Sequence, residues 1–200
     1  MLTKLSWIIL GLTLAGITGA YVHQSLTRQN RSELPVLGQV PPFTLKDQTN
    51  KPVSRKDLEG KTWVADFIYT HCPDQCPMLS RHMEVVQGLL PKESAAQLVS
   101  ITVDPARDTP ETLAAYARRY HADPARWRFL TGSVKNVQAL VAGLKLTPPA
   151  AAPKDFAMNH TSRLLLIDSD AQVRGYYDGA EEKDVQRLVK DIGDLDTSKK

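Results

Sequence analysis

Hydrophobic and polar positions fall into blocks along this chain of 200 residues, and each block carries the period of one kind of element. The run WVADFIY at 63–69 is almost continuously apolar, of strand length, and rich in aromatic and β-branched residues. It breaks at Thr70-His71-Cys72-Pro73-Asp74, after which Leu79, Met83, Val86 and Leu89 recur at steps of four and three, the mark of a helix with one apolar stripe. Pro77 suits the first turn of that helix, where a missing N–H has no partner to lose. QLVSITV at 97–103 is a second strand, closed by Asp104-Pro105. A helix follows: Asp108 and Glu111 make a capping-box-like pair, and Pro110 precedes the helical stretch 113–120. Residues 127–130 read as a short strand, and Val134, Val137, Leu140, Val141 and Leu144 form the clearest helical stripe of the chain. The pattern ends with strands at 164–167 and 172–177 about a turn at 168–171, then a helix carrying Val185, Leu188, Val189 and Ile192. Upstream, residues 43–45 and the surroundings of Val53 are strand candidates joined through the turn-rich 46–50, a hairpin for the sheet edge.

Strands alternating with helices, then a late hairpin and a closing helix, predict an α/β fold with a mixed central sheet, arranged as a thioredoxin-like sandwich with an N-terminal β-hairpin. This domain occupies 40–194 and a polar tail 195–200; no internal repeat appears. Residues 146–159 form a long loop, with Pro148, Pro149 and Pro153 around an alanine run, that delivers the chain to His160. The first block is of another kind. Between Lys4 and Arg28 lies an uncharged stretch at 5–22, eighteen residues that reach the lower limit of a membrane-spanning helix. The expectation is one transmembrane anchor at 1–23 and a linker at 24–39 holding the domain outside the cytoplasm. Thr18-Gly19-Ala20 offers a cleavage site as the alternative.

Charge adds an exclusion. With 25 basic and 22 acidic residues, net +3 and unclustered, no nucleic-acid partner is expected. Cysteine adds the chemistry. The chain has only two, Cys72 and Cys76, so they are no disulfide framework, and a bridge between them would close almost no loop. Placed between a buried strand and a helix N-terminus, they meet free N–H groups that favour thiolate, and a protonated His71 would add to this. Four positions apart, their sulfurs are able to pair or to chelate one metal. In a thioredoxin-like sandwich the loop before the strand at 164–167 packs beside the loop after 63–69, which would bring His160 to Cys72 and Cys76. Two thiolates and an imidazole suit Cu(I) and keep Cu(II) accessible, whereas structural zinc takes four protein ligands and no further ligand stands at zinc-site spacing.

Three stretches carry a family resemblance: FIYTHCPDQCP at 67–77, VDPARDTPETLAAYARRY at 103–120, and His160 ahead of LLLID. They resemble the Sco/SenC family of copper-binding, thioredoxin-like assembly proteins, over roughly 40–192. The resemblance implies copper ligation by Cys72, Cys76 and His160, one N-terminal membrane helix, and a domain on the periplasmic side of a bacterial inner membrane. It implies delivery of copper to the dinuclear centre of cytochrome c oxidase and reduction of that centre's cysteines, with subunit II or another copper-accepting protein as partner; because an oxidising compartment would close the thiol pair, a thiol reductant is expected as well. Where the family shows Asp-His-Ser, this chain has Asn159-His160-Thr161, without the carboxylate that would orient the histidine. Asp104 and Asp108 fall in the shared stretch, and a turn residue and a helix cap account for them. Two other activities compete. As a thiol-disulfide oxidoreductase, Cys72 at the exposed start of the loop would attack and Cys76 resolve, with His160 dispensable; as a thiol peroxidase, the same fold would turn over peroxide. His82 and Met78, four apart on the helix face away from the apolar stripe, are expected at the surface, with a second metal contact as the alternative; His121 and His23 have no constellation around them.

Overall fold

The computed structural model describes residues 34–144 and 162–197. The chain divides into two units, Met1–Leu34 and Pro35–Lys200, and the second holds one sheet of eight strands. In chain order the strands are β1 (Gly38–Gln39), β2 (Thr44–Asp47), β3 (Pro52–Ser54), β4 (Trp63–Ile68), β5 (Gln97–Thr102), β6 (Trp127–Thr131), β7 (Arg163–Ile167) and β8 (Gln172–Asp178). The helices are α1 (Gln75–Leu89), α2 (Pro110–Arg119), α3 (Val134–Gly143) and α4 (Glu182–Thr197). Across the sheet the order is β1-β8-β7-β4-β5-β6-β2-β3. β4, β5 and β6 run parallel, and every other pairing is antiparallel, so the sheet is mixed as predicted. The β2–β3 hairpin forms one edge, and β1 begins the sheet on the other at Gly38.

β4 and β5 are buried at every position, which is why their sequences read as apolar runs and not as alternations. Trp63, Ala65 and Phe67 of β4 join Val99 and Ile101 of β5, Leu165 and Ile167 of β7, and Val137, Leu140 and Val141 of α3 in one core. The alternate residues face the other side, where α1 and α2 meet: Ser80 Oγ lies 3.0 Å from Tyr116 Oη, and the Tyr116 ring packs edge-on to Phe129. Asp66 belongs to this second face.

The helical stripes hold with two corrections. Leu89 is 53% exposed and Val134 49%; Leu90, which turns the chain out of α1 in an extended conformation, takes the buried place instead. The third correction concerns Asp108, which does not cap α2. Thr109 is the N-cap, its side chain accepting from the Thr112 N–H, and Asp108 is fully buried. Among the described residues no helix is long and apolar enough to cross a membrane; the predicted anchor lies outside them.

Candidate metal centre

The cysteine loop begins where β4 ends and turns once before α1. Cys72 donates its N–H to the Tyr69 carbonyl at 3.1 Å, which closes the turn. Asp74 is the N-cap residue of α1, yet its side chain caps nothing. The Cys72 sulfur takes over that office, accepting the Cys76 N–H at 3.3 Å, one of the donors that a helix start leaves without an intrahelical partner. Pro77 falls in the first turn, as its missing donor predicts. Both cysteines are free, and each is only 6% exposed. Cys72 is therefore not at an exposed start of the loop; the turn folds it back under the helix N-terminus.

The two thiols differ in their electrostatics. Burial pushes the Cys72 thiol up, but the N–H groups of Cys76 and Asp74, the Cys76 thiol and the Tyr69 hydroxyl all stabilise its thiolate and leave its pKa below the ordinary value. Burial dominates at Cys76 and raises it to about 12; a hydrogen bond from the Tyr69 backbone opposes this, while the Cys72 sulfur and the Asp66 carboxylate add to it. One thiolate is thus prepared beside one reluctant thiol.

Asp66 lies beneath this pair. Burial raises its pKa to about 7; the Ser100 hydroxyl offsets that only in part, and no hydrogen bond of ordinary geometry reaches either carboxylate oxygen. An acid inside the run WVADFIY was the signal for it, and the continuous apolar pattern masked that signal.

Asp108 holds the loop from the other side. Its carboxylate accepts the Thr70 N–H at 3.1 Å, the Thr70 hydroxyl at 2.5 Å and the Thr102 hydroxyl, so that it ties the ends of β4 and β5 together. The His71 Nδ1 stands 3.1 Å from Thr70 Oγ1 and 4.0 Å from Asp108 Oδ1, with its side chain 59% exposed.

The remaining candidates scatter. His82 bonds the Gly179 carbonyl through Nδ1, and His121 lies 2.8 Å from Glu84 Oε1, each occupied locally. His23 and His160 lie outside the described residues. The described chain resumes at Ser162, two residues after His160. β7 pairs with β4 through Trp63↔Ile167 and Ala65↔Leu165, so its first residues run toward the end of β4 that carries the loop. Gly179 donates to the Ser162 carbonyl, and a Cβ at Gly179 would stand 2.8 Å from that oxygen and 2.8 Å from Leu79 Cδ1 of α1. Ser162 is thereby packed within one glycine of the helix that bears Cys76.

Among the described residues no three of His, Cys, Asp or Glu converge as a metal cage. Two free thiols in one turn are part of a soft-metal donor set and leave the rest to a ligand from elsewhere. A model of the SCO1/SenC family matches residues 35–195, nearly all of the second unit. The chain belongs to the SCO1/SenC family. A Stutzerimonas stutzeri protein named as copper-binding is 34% identical over 174 residues, 84% of each chain. The structure of BsSco superposes with a TM-score of 0.71 at 31% identity, covering 82% of this chain and 96% of that one. It is described as a member of the Sco family of cytochrome c oxidase assembly proteins in which a disulfide switch was identified. Bradyrhizobium japonicum ScoI, solved with copper bound, superposes with a TM-score of 0.65 at 28% identity, covering 79% of this chain and 99% of that one. The thioredoxin-like fold of this family is the fold of the second unit.

Proposed function

We propose that this chain is a copper metallochaperone that takes copper as cargo on Cys72, Cys76 and His160 and delivers it to the dinuclear copper centre of cytochrome c oxidase. The observation that carries the reading is the pair of free cysteines in one turn, with the Cys72 sulfur already held as an acceptor. Thiolates are the donors that select Cu(I), and an imidazole as third ligand keeps Cu(II) within reach. His160 is two positions before Ser162, a reach of roughly 7 Å from a residue packed next to α1. Three ligands leave a face open, which a carrier needs because the recipient must bind the metal before the donor lets go.

The rest of the assembly follows from this reading. Residues 1–23 anchor the chain in the inner membrane, and a linker spans from there to the domain, which takes in β1 at 38–39 and α4 through Thr197 and so reaches past both ends of 40–194; the domain works on the periplasmic side. Subunit II of the oxidase or another copper-accepting protein is the partner, and a thiol reductant keeps the pair open, since an oxidising compartment closes vicinal thiols.

A second reading has its own observation. The lowered Cys72 and the raised Cys76 form an attacking and a resolving thiol, as a disulfide reductase acting on the cysteines of the copper centre requires. Anaerobic titration of the reduced full chain with Cu(I) separates the two. Metallochaperone function predicts one tightly bound Cu(I), lost in the Cys72→Ser/Cys76→Ser double variant and weakened at least about 10-fold in His160→Ala, since loss even of a residue that only orients a ligand costs that much. Wild-type affinity in both variants would sink it. Weak copper binding together with unimpaired thiol exchange in His160→Ala would leave the reductase.

A further inference from the structure

The bonds around Asp108 fix more than the loop. An ionised carboxylate only accepts. Its Oδ2 takes the Thr70 N–H and the Thr102 hydroxyl; the Thr102 oxygen in turn accepts the Asp104 N–H at 3.0 Å, so its one proton goes to Asp108. Oδ1 takes the Thr70 hydroxyl. With that proton committed, Thr70 Oγ1 has only lone pairs left for the His71 Nδ1 at 3.1 Å, and Nδ1 must be the nitrogen that carries hydrogen.

We propose that Asp108 is a positioning residue which, acting through Thr70, holds His71 in the Nδ1–H tautomer and so presents its Nε2 lone pair, one residue before Cys72, as an entry ligand for Cu(I). His71 is not part of the final site: its side chain is 59% exposed where the thiols are 6% exposed, and the three do not form a cage. An exposed nitrogen donor next to two shielded sulfurs is placed to meet the metal first. Cu(I) keeps its oxidation state throughout. The Nε2–Cu bond forms as a ligand of the delivering complex leaves, and it breaks as the Cys72 thiolate takes the metal. This capture step rests on the metallochaperone reading; the tautomer does not.

The test is nitrogen NMR of the full chain labelled at its five histidines, at about pH 8.5, where imidazole is neutral. The His71 signals are assigned by their loss in His71→Gln. The wild type shows hydrogen on Nδ1. In Asp108→Asn the carboxamide oxygen retains the Thr70 N–H and Thr102 hydroxyl, while its NH2 faces Thr70 Oγ1, turns the Thr70 proton toward His71 and moves the imidazole hydrogen to Nε2. Thr70→Val, which removes the hydroxyl and keeps the side-chain shape, also loses the Nδ1–H form, and Thr70→Ser restores it. In stopped-flow transfer from a Cu(I)–bicinchoninate complex, Asp108→Asn and Thr70→Val slow capture about tenfold, with equilibrium affinity within about twofold of wild type, and Thr70→Ser is as fast as wild type. A wild-type Nε2–H tautomer, or Nδ1–H retained in both Asp108→Asn and Thr70→Val, overturns the positioning role. Capture at the wild-type rate in a variant whose tautomer has reversed overturns the entry-ligand role. A wild type that binds no Cu(I) overturns the metallochaperone reading and the capture step with it, and leaves the tautomer standing.

Discussion

At the scale of single residues the site is asymmetric. Cys72 and Cys76 are equally shielded from solvent contact, but Cys76 lies deeper: N–H groups aimed at Cys72 lower its pKa, and burial lifts that of Cys76 to about 12. Only the thiolate reacts, so the two thiols separate under an alkylating reagent. Cys76→Ser keeps the backbone N–H on the Cys72 sulfur, and its single thiol is modified by iodoacetamide at neutral pH; the rate falls as pH drops through the lowered Cys72 pKa. Cys72→Ser reacts at pH 7 at least about tenfold more slowly and accelerates only well into alkali. Mass spectrometry of the full chain reads both rates. Equal rates for the two variants at neutral pH would remove the asymmetry. The sequence located both sulfurs and the helix start between them. It put Cys72 first as the exposed one, and that ground fails because Cys72 is buried; the order rests instead on which N–H groups reach which sulfur and on Asp66 beneath Cys76.

At the scale of elements, the decisive contact joins α1 to the β7–β8 pair. Gly179 follows β8 and fits between the Ser162 carbonyl and Leu79, where a Cβ would stand 2.8 Å from each. The His82 imidazole on α1 bonds the carbonyl of the same glycine. Gly179→Ala must push the start of β7 away from the cysteine helix, which is expected to destabilise the chain by about 1–3 kcal/mol in urea unfolding, the range for overpacking. On the metallochaperone reading it also weakens Cu(I) binding, because His160 lies two residues from the displaced Ser162. A Gly179→Ala chain with wild-type stability would show that this contact yields. Elements themselves were legible: β4, β5, β7 and all four helices stand where the hydrophobic periods put them. The helix cap was not. Asp108 and Thr109 are adjacent residues of the types that cap, and local sequence favoured the one whose partner at Glu111 completed a motif. Thr70 and Thr102, 38 and 6 positions away, drew Asp108 inward and left the cap to Thr109.

For the whole molecule, the buried Asp66 makes stability depend on pH. Its pKa rises from 3.8 to about 7 on folding, so the folded state holds the proton more tightly than the unfolded one. The contribution is fully present below about pH 4 and is lost as pH rises through 7, by up to about 4 kcal/mol at 1.36 kcal/mol per pKa unit. Asp66→Asn does not titrate. Its stability relative to wild type should therefore climb between about pH 4 and 8, followed by denaturant unfolding across that range; a constant difference would mean that the folded chain ionises Asp66 with little penalty. The same residue bears on the redox pair, since its charge raises the Cys76 pKa, and core stability and site chemistry meet in one carboxylate.

By itself the sequence determined the order of elements from β2 onward, the mixed α/β sheet, the hairpin at its edge and the placing of two thiols at a helix N-terminus; β1, inside the stretch read as linker, it did not show. These follow from short-range period and turn chemistry, which need no knowledge of what lies across the fold. The family, too, was legible, because its motifs are contiguous. Only the tertiary structure decided that Cys72 is shielded and activated, that Asp108 is a buried anchor of the loop, that Asp66 lies under Cys76, and that Gly179 packs Ser162 against α1. The anchoring by Asp108 and the packing at Gly179 join residues distant in sequence, while the bonds that activate Cys72 are local but depend on a turn geometry and a burial that the sequence pattern does not display.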